Sequence, residues 1–134
     1  MKRIADSGLL KAVLDADDRH HAWAADEFSR HAPFHTCDAV LAEVAALLNA
    51  PAVVMQLVVN GDVVLDFDLQ AEHGRVMELL SKYHDHPMDL ADACIVRMAE
   101  LEERVKVWTT DRRDFSAYRR HGRQTVPCEF PPED

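Results

Sequence analysis

The chain has 134 residues, 48% of them hydrophobic and only four of them glycine, which suits one domain with a real core and excludes a disordered polypeptide. The formal net charge of −9 excludes nucleic-acid binding by bulk positive charge, and leaves a local basic patch open. Three separated cysteines, Cys37, Cys94 and Cys128, show no CxxC or Cys/His ligand spacing, so a zinc or disulfide framework is not expected and reduced thiols in a cytosol are.

The N-terminus, MKRIADSGLL, has no apolar leader followed by a small-residue cleavage site, and a cytoplasmic protein is expected. Residues 2–6 predict a short strand, and Ser7 is placed to cap a helix running to about Asp15. A second helix is expected from His20 to His31, anchored by Trp23 and Phe28. An extended piece around Phe34-His35-Thr36 then leads into a helix carrying Glu43. Residues 39–59 hold a single charge, Glu43, across 21 positions, a length that would permit a membrane span. Asn49-Ala50-Pro51 breaks the run midway, because proline cannot continue a helix without losing a bond. Two short buried helices joined at that break are therefore expected, with an apolar surface on offer to a partner subunit and no membrane crossing.

Further along, DVVLDF (62–67) predicts a strand and residues 69–82 a helix. Another helix is expected from Asp89 to Glu103, then an alternating strand, VKVWTT (105–110). TVPCEF (125–130) predicts a last, edge strand because of Pro127. Strands alternating with helices over residues 1–134 imply a single α/β domain with a mostly parallel central sheet flanked by helices.

In such sheets ligands bind beyond the carboxyl ends of the strands. Asp6 ends the first predicted strand and Asp111 directly follows VKVWTT, although aspartate is also common in any strand-to-helix turn. Glu43 borders an apolar stripe containing Val44 and Leu48, and charged residues are rarely buried without a partner or a metal. In MDLADAC (88–94), Asp89 has the position of a helix N-cap, with Asp92 in the first turn. Capping suffices to explain Asp89. It does not suffice for Asp92, which aligns with Ile95, Val96 and Ala99 on the helical wheel while Arg97 points away. Four converging acids would raise each other's pKa unless a cation sat among them, and hard oxygen donors suit Mg²⁺ or Mn²⁺.

The ordered set ADSGLLKAVLDADDRHHAWA, TCDAVLAEVAALL, MDLADACIVRMAE and VWTTDRRDFSAYRRHG resembles the PIN-domain family, and within it the VapC-type toxins, over roughly residues 3–123. The resemblance implies a PIN fold, usually dimerised, and a metal-dependent endoribonuclease that cleaves RNA phosphodiester bonds with bound Mg²⁺ or Mn²⁺. It places Asp6, Glu43, Asp92 and Asp111 in the acidic, metal-holding site, and Asp89 or Asp114 in the part of a further nearby aspartate. Thr109 or Thr110 resembles the hydroxyl residue that precedes the last acid. The partners implied are an RNA substrate, a cognate antitoxin protein and a second copy of the chain. The residues leave two other readings open. One is a non-catalytic PIN-fold interaction module. The other is a Mg-dependent phosphohydrolase acting on small phosphoesters, which usually needs a second acid two places after the first, and Asp6-Ser7-Gly8 lacks it.

Arg112, Arg113, Arg119, Arg120 and Arg123 put five of the fifteen basic residues within twelve positions after Asp111. Arginine suits phosphate, so Arg112, Arg113 and Arg119, with Thr109 and Thr110, are the candidate RNA contacts. Tyr118 offers a ring for base stacking, whereas the DxxF spacing of Phe115 fits a core anchor. His84 and His86 lack a third ligand at matching spacing and are read as loop residues. Trp23 and Trp108 are expected in the core or a subunit contact.

Overall fold

The computed structural model describes residues 1–133. Its elements run β1 (Lys2–Ala5), α1 (Ser7–Leu14), α2 (His21–His31), β2 (Phe34–Thr36), α3 (Asp38–Leu48), α4 (Pro51–Val59), β3 (Val63–Leu65), α5 (Leu69–Lys82) and α6 (Leu90–Glu100). There follow β4 (Val105–Trp108), α7 (Arg112–Ala117), β5 (Arg119–Arg120), β6 (Gln124–Thr125) and β7 (Cys128–Glu129). Five strands form a central sheet in the order β3-β2-β1-β4-β7, and every pairing in it is parallel. The expected α/β architecture is thus observed, with β1 and β4 side by side in the middle, Ala5 opposite Trp108.

Parallel strands covered on both faces should be apolar throughout. Ile4, Ala5, Phe34, Val63, Val107 and Trp108 are all buried. Trp108 packs edge-on against Phe34, which stacks on Phe28, and its indole N–H donates to Glu27 Oε1 at 3.0 Å. Helix α6 is buried along nearly its whole length, from Ala91 to Glu100, save Asp92 and Arg97. Its last residue, Glu100, is a buried carboxylate. It accepts two hydrogen bonds from Arg75 at 2.9 and 2.8 Å, one from Arg97 at 3.2 Å and one from the His121 backbone N–H at 2.7 Å. Burial alone would lift this carboxyl, but Arg75 and His121 override it and hold Glu100 down at about 2. α6 is thereby fixed against α5 and the β5–β6 hairpin.

The break in the long apolar run falls as expected. Asn49 closes α3 in the left-handed region (φ 49°), and Pro51 opens α4 at a position where its missing N–H is harmless. No helix among the described residues is long and apolar enough to cross a membrane. The expected burial does not extend to the whole pair: α4 buries only Val54 and Leu57, and Leu47, Val53, Met55 and Val59 are exposed, because the pair packs on the domain by one face.

Four local expectations need correction. Ser7 is the first helical residue and not the cap; Asp6 holds the cap position and makes no side-chain cap bond. The strand at 62–67 shortens to Val63–Leu65, because Asp66 turns aside to Lys2 Nζ and His35 Nδ1, both at 2.8 Å. The helix expected to reach Glu103 stops at Glu100. The segment 125–130 divides at Pro127: Thr125 pairs with Arg119 in a separate hairpin, and Cys128–Glu129 alone joins the sheet, at its edge. That hairpin turns through His121 and Gly122, both at positive φ, and its two-residue strands carry no periodicity to read.

Candidate active site

The pairing of β1 with β4 brings their carboxyl ends together, and the next residues are Asp6 on one side and Thr109, Thr110 and Asp111 on the other. The Asp6 N–H continues the sheet by donating to the Trp108 carbonyl at 3.0 Å. Thr109 is fully buried. Its hydroxyl donates to Asp6 Oδ2 at 2.7 Å and accepts the Asp111 N–H at 3.0 Å, so one side chain sets the spacing of both acids. Asp111 caps α7 by accepting the Asp114 N–H at 3.0 Å.

Helix α6 enters the same place by its N-terminus. Asp89 caps it, accepting the Asp92 N–H at 2.8 Å, and Asp92 answers by accepting the Asp89 N–H at 3.4 Å. Capping therefore accounts for Asp89, as its position predicted. Asp92 has a further partner, the Tyr118 hydroxyl, which donates to Oδ2 at 3.0 Å from the fully buried Tyr118. Glu43 projects from the middle of α3 and is engaged by the Ser7 hydroxyl.

These side chains line one cavity of about 350 Å³, walled by Asp6, Ser7, Gly8, Glu43, Pro87, Asp89, Asp92, Thr110, Asp111 and Asp114. Six carboxyl groups share it, and no Lys or Arg does among the described residues. Their electrostatics follow. Burial, reinforced by the charges of Glu43 and Asp111 and opposed by Thr109, pushes Asp6 up to about 6. Burial, with the charges of Asp6 and Asp89, pushes Asp92 up to about 8 against the hydrogen bond from Tyr118. Burial also raises Glu43, with Asp89 adding, and raises Asp111 despite its capping bond from Asp114. The Tyr118 phenol is raised by burial and by the Asp92 charge, and stays a proton donor.

Carboxyls raised in this way, Asp6 and Asp92 foremost, are ones that positive charge would relieve. One observation fits a divalent cation specifically: Asp6 Oδ1 is buried and has no hydrogen-bond partner, whereas a buried carboxylate oxygen ordinarily has one. Among the described residues no three His, Cys, Asp or Glu side chains close around a single point tightly enough to clasp an ion directly. That arrangement still suits Mg²⁺ or Mn²⁺, since Mg²⁺ keeps several waters and uses one or two carboxylates. The all-oxygen donor set fits such ions and not softer metals.

Asp6, Glu43, Asp89, Asp92, Asp111, Asp114 and Thr110 are thus brought together. The other candidates divide. Thr109 lies beneath Asp6 with no exposed surface, so it has no face to offer an RNA strand. The Arg119 guanidinium folds back to the carbonyls of Ser116, Ala117 and Tyr118 at 2.7, 3.2 and 3.0 Å, where it closes the end of α7 instead of facing the cavity. Tyr118 is buried and cannot stack on a base. Arg112 and Arg113 are exposed on α7 outside the cavity wall, Arg112 lying over the Phe130 ring at 4.6 Å and donating to the Pro131 carbonyl at 2.8 Å. Phe115 is a core residue, and His84 stays in its loop, its ring nitrogen 2.9 Å from the Ser81 carbonyl. Sequence reasoning missed Ser7, Gly8, Pro87 and the Tyr118 hydroxyl as parts of the site. Only the first two carried a signal, as neighbours of Asp6.

Comparison with known proteins agrees with this fold. A family model described as PIN domain matches residues 4–121. Among solved structures, the chain is similar to that of VapC20 from Mycobacterium tuberculosis, described as a Sarcin-Ricin loop cleaving toxin. The TM-score is 0.69 at 18% identity, covering 79% of this chain and 87% of that one. A search of curated proteins gave no match.

Proposed function

The chain belongs to the PIN domain family, and from that premise we propose that it is a metal-dependent endoribonuclease, the toxin of a VapBC-type pair. The observation that carries the proposal is the six-acid cavity at the carboxyl ends of β1 and β4, with the buried, unpartnered Asp6 Oδ1 at its floor.

The cation, Mg²⁺ or Mn²⁺, would sit among Asp6, Glu43, Asp92 and Asp111, one or two of them binding it directly and the others through its waters, with Asp89 at the rim. Bound there, the ion supplies Lewis-acid stabilisation of the phosphoryl oxygens and eases deprotonation of an attacking water. The chain's own groups supply position. Thr109 fixes the spacing of Asp6 and Asp111, and Tyr118 holds Asp92 by a hydrogen bond that strengthens when the carboxylate is charged. The described cavity wall carries no histidine, and this reading needs none, since the activated water would itself be the nucleophile. The exposed apolar residues of α3 and α4 fit a homodimer, and a cognate antitoxin protein would bring the positive charge that the acidic cavity lacks. The cytoplasm is the proposed location.

Incubation of mixed RNA with the purified protein tests the reading. Cleavage is expected with Mg²⁺ or Mn²⁺, none in EDTA, and none by Asp92→Asn. Cleavage that survives both chelation and that substitution would remove the mechanism.

A further inference from the structure

The six acids pose a problem for the substrate proposed above. An RNA strand is a polyanion, and the cavity wall offers it no cationic side chain. Affinity must come from positive groups on the strand's path beside the cavity. Two of the five arginines of the run after Asp111 are otherwise engaged: Arg119 closes α7, and Arg120 donates to the carbonyls of Ala99 and Glu102 at 3.2 and 3.4 Å.

One wall residue of the acidic cavity, Thr110, also lines a second cavity of about 230 Å³. Its other walls are Arg19 and His20 from the turn before α2, Arg112 from the start of α7, and Pro131, Pro132 and Glu133. Two guanidinium groups and an imidazole thus border the acidic site across a single threonine. Arg112 is held in place by neutral contacts, the Phe130 ring and the Pro131 carbonyl, which orient its fork without neutralising it. Among the described residues its anionic partner is Glu133 at 3.4 Å, and that carboxylate is 75% exposed. An ion pair so exposed is worth little and is readily exchanged for another anion.

We infer that this second cavity is the subsite for a backbone phosphate of the RNA flanking the scissile one. Arg19 and Arg112 are its binding groups, and Glu133 is a tethered carboxylate that the phosphate displaces. The inference rests on the ribonuclease reading for its substrate class, but not on the metal. An acidic protein segment is the competing occupant.

The test is binding of a fluorescein-labelled single-stranded RNA of mixed sequence in EDTA, titrated over a range of salt, with cleavage in Mn²⁺ measured separately. Arg19→Ala and Arg112→Ala are each expected to weaken binding about fivefold and to lower the salt slope by about 0.7. In cleavage, KM is expected to rise while kcat holds. Glu133→Gln is expected to tighten binding about twofold. It lies on an exposed segment, so it reads the subsite even if an arginine variant fails to fold. Arg104→Ala, at the opposite ends of the strands, serves as the control and should change nothing. Unchanged affinity and slope in both arginine variants and in Glu133→Gln, with the parent chain still cleaving RNA, would overturn the inference alone. Loss of a bound acidic protein with RNA affinity intact would also overturn it. A parent chain that binds RNA through these arginines but never cleaves it would remove the ribonuclease reading and leave the subsite standing.

Discussion

Asp6→Asn is expected to make the metal-free protein more stable while silencing it. Burial and the neighbouring acids lift the Asp6 carboxyl from 3.8 to about 6. At neutral pH the folded chain therefore ionises a group it holds more easily protonated. A displacement of about two pH units at about 1.4 kcal/mol each corresponds to ~3 kcal/mol of lost stability. Asparagine removes the charge and still accepts the Thr109 hydroxyl on its amide oxygen. Its nitrogen lands at the place of the unpartnered Oδ1, where an unsatisfied N–H costs about 1 kcal/mol. The net expected gain is about 2 kcal/mol. The sign with pH follows from the folded-state value lying above the unfolded one. The contribution of Asp6 is complete below 3.8 and is lost as pH rises through about 6. Asp92 extends the same decline to about 8. Urea denaturation in EDTA should show the asparagine variant ahead at neutral pH, with the gap closing toward about pH 4. Mn²⁺ should raise the stability of the parent and not of the variant. A variant less stable than the parent at neutral pH in EDTA, or a gap independent of pH, would refute the reasoning.

Tyr118→Phe should weaken Mn²⁺ binding about tenfold by calorimetric titration, since Asp92 loses the donor that orients it; unchanged affinity would show that Tyr118 is only a packing residue. Gly8→Ala places a Cβ into the Thr110 side chain and should destabilise the protein by about 1–3 kcal/mol in thermal melts. Adding Thr110→Ala should restore most of that loss, and no recovery would mean that the backbone, not Thr110, resists the substitution.

How far the site was legible before folding depended on the kind of signal each residue carried. Glu43 stood out as a lone charge in an apolar run, and Asp92 as an acid on the buried face of a helix. Both signals are local and survive in a single sequence. Asp6 and Asp111 were placed by topology, because adjacent parallel strands must end on the same side. Arg119 departs from its expected place for a physical reason. A guanidinium on a long side chain goes to whichever carbonyls lie within reach, and for Arg119 those are at the end of its own helix. The Tyr118 hydroxyl meets Asp92 only because the chain leaving α7 is folded against α6, a contact that no periodicity encodes. The strands at 119–125 were equally silent, being two residues long.

The dependence of the RNA cleavage rate on Mn²⁺ concentration, measured for the parent chain and for Asp92→Asn, tests the central claim most directly. The account predicts a saturable rise from zero in the parent and no rise in the variant. A parent rate that is independent of Mn²⁺ and unaffected by EDTA would contradict it.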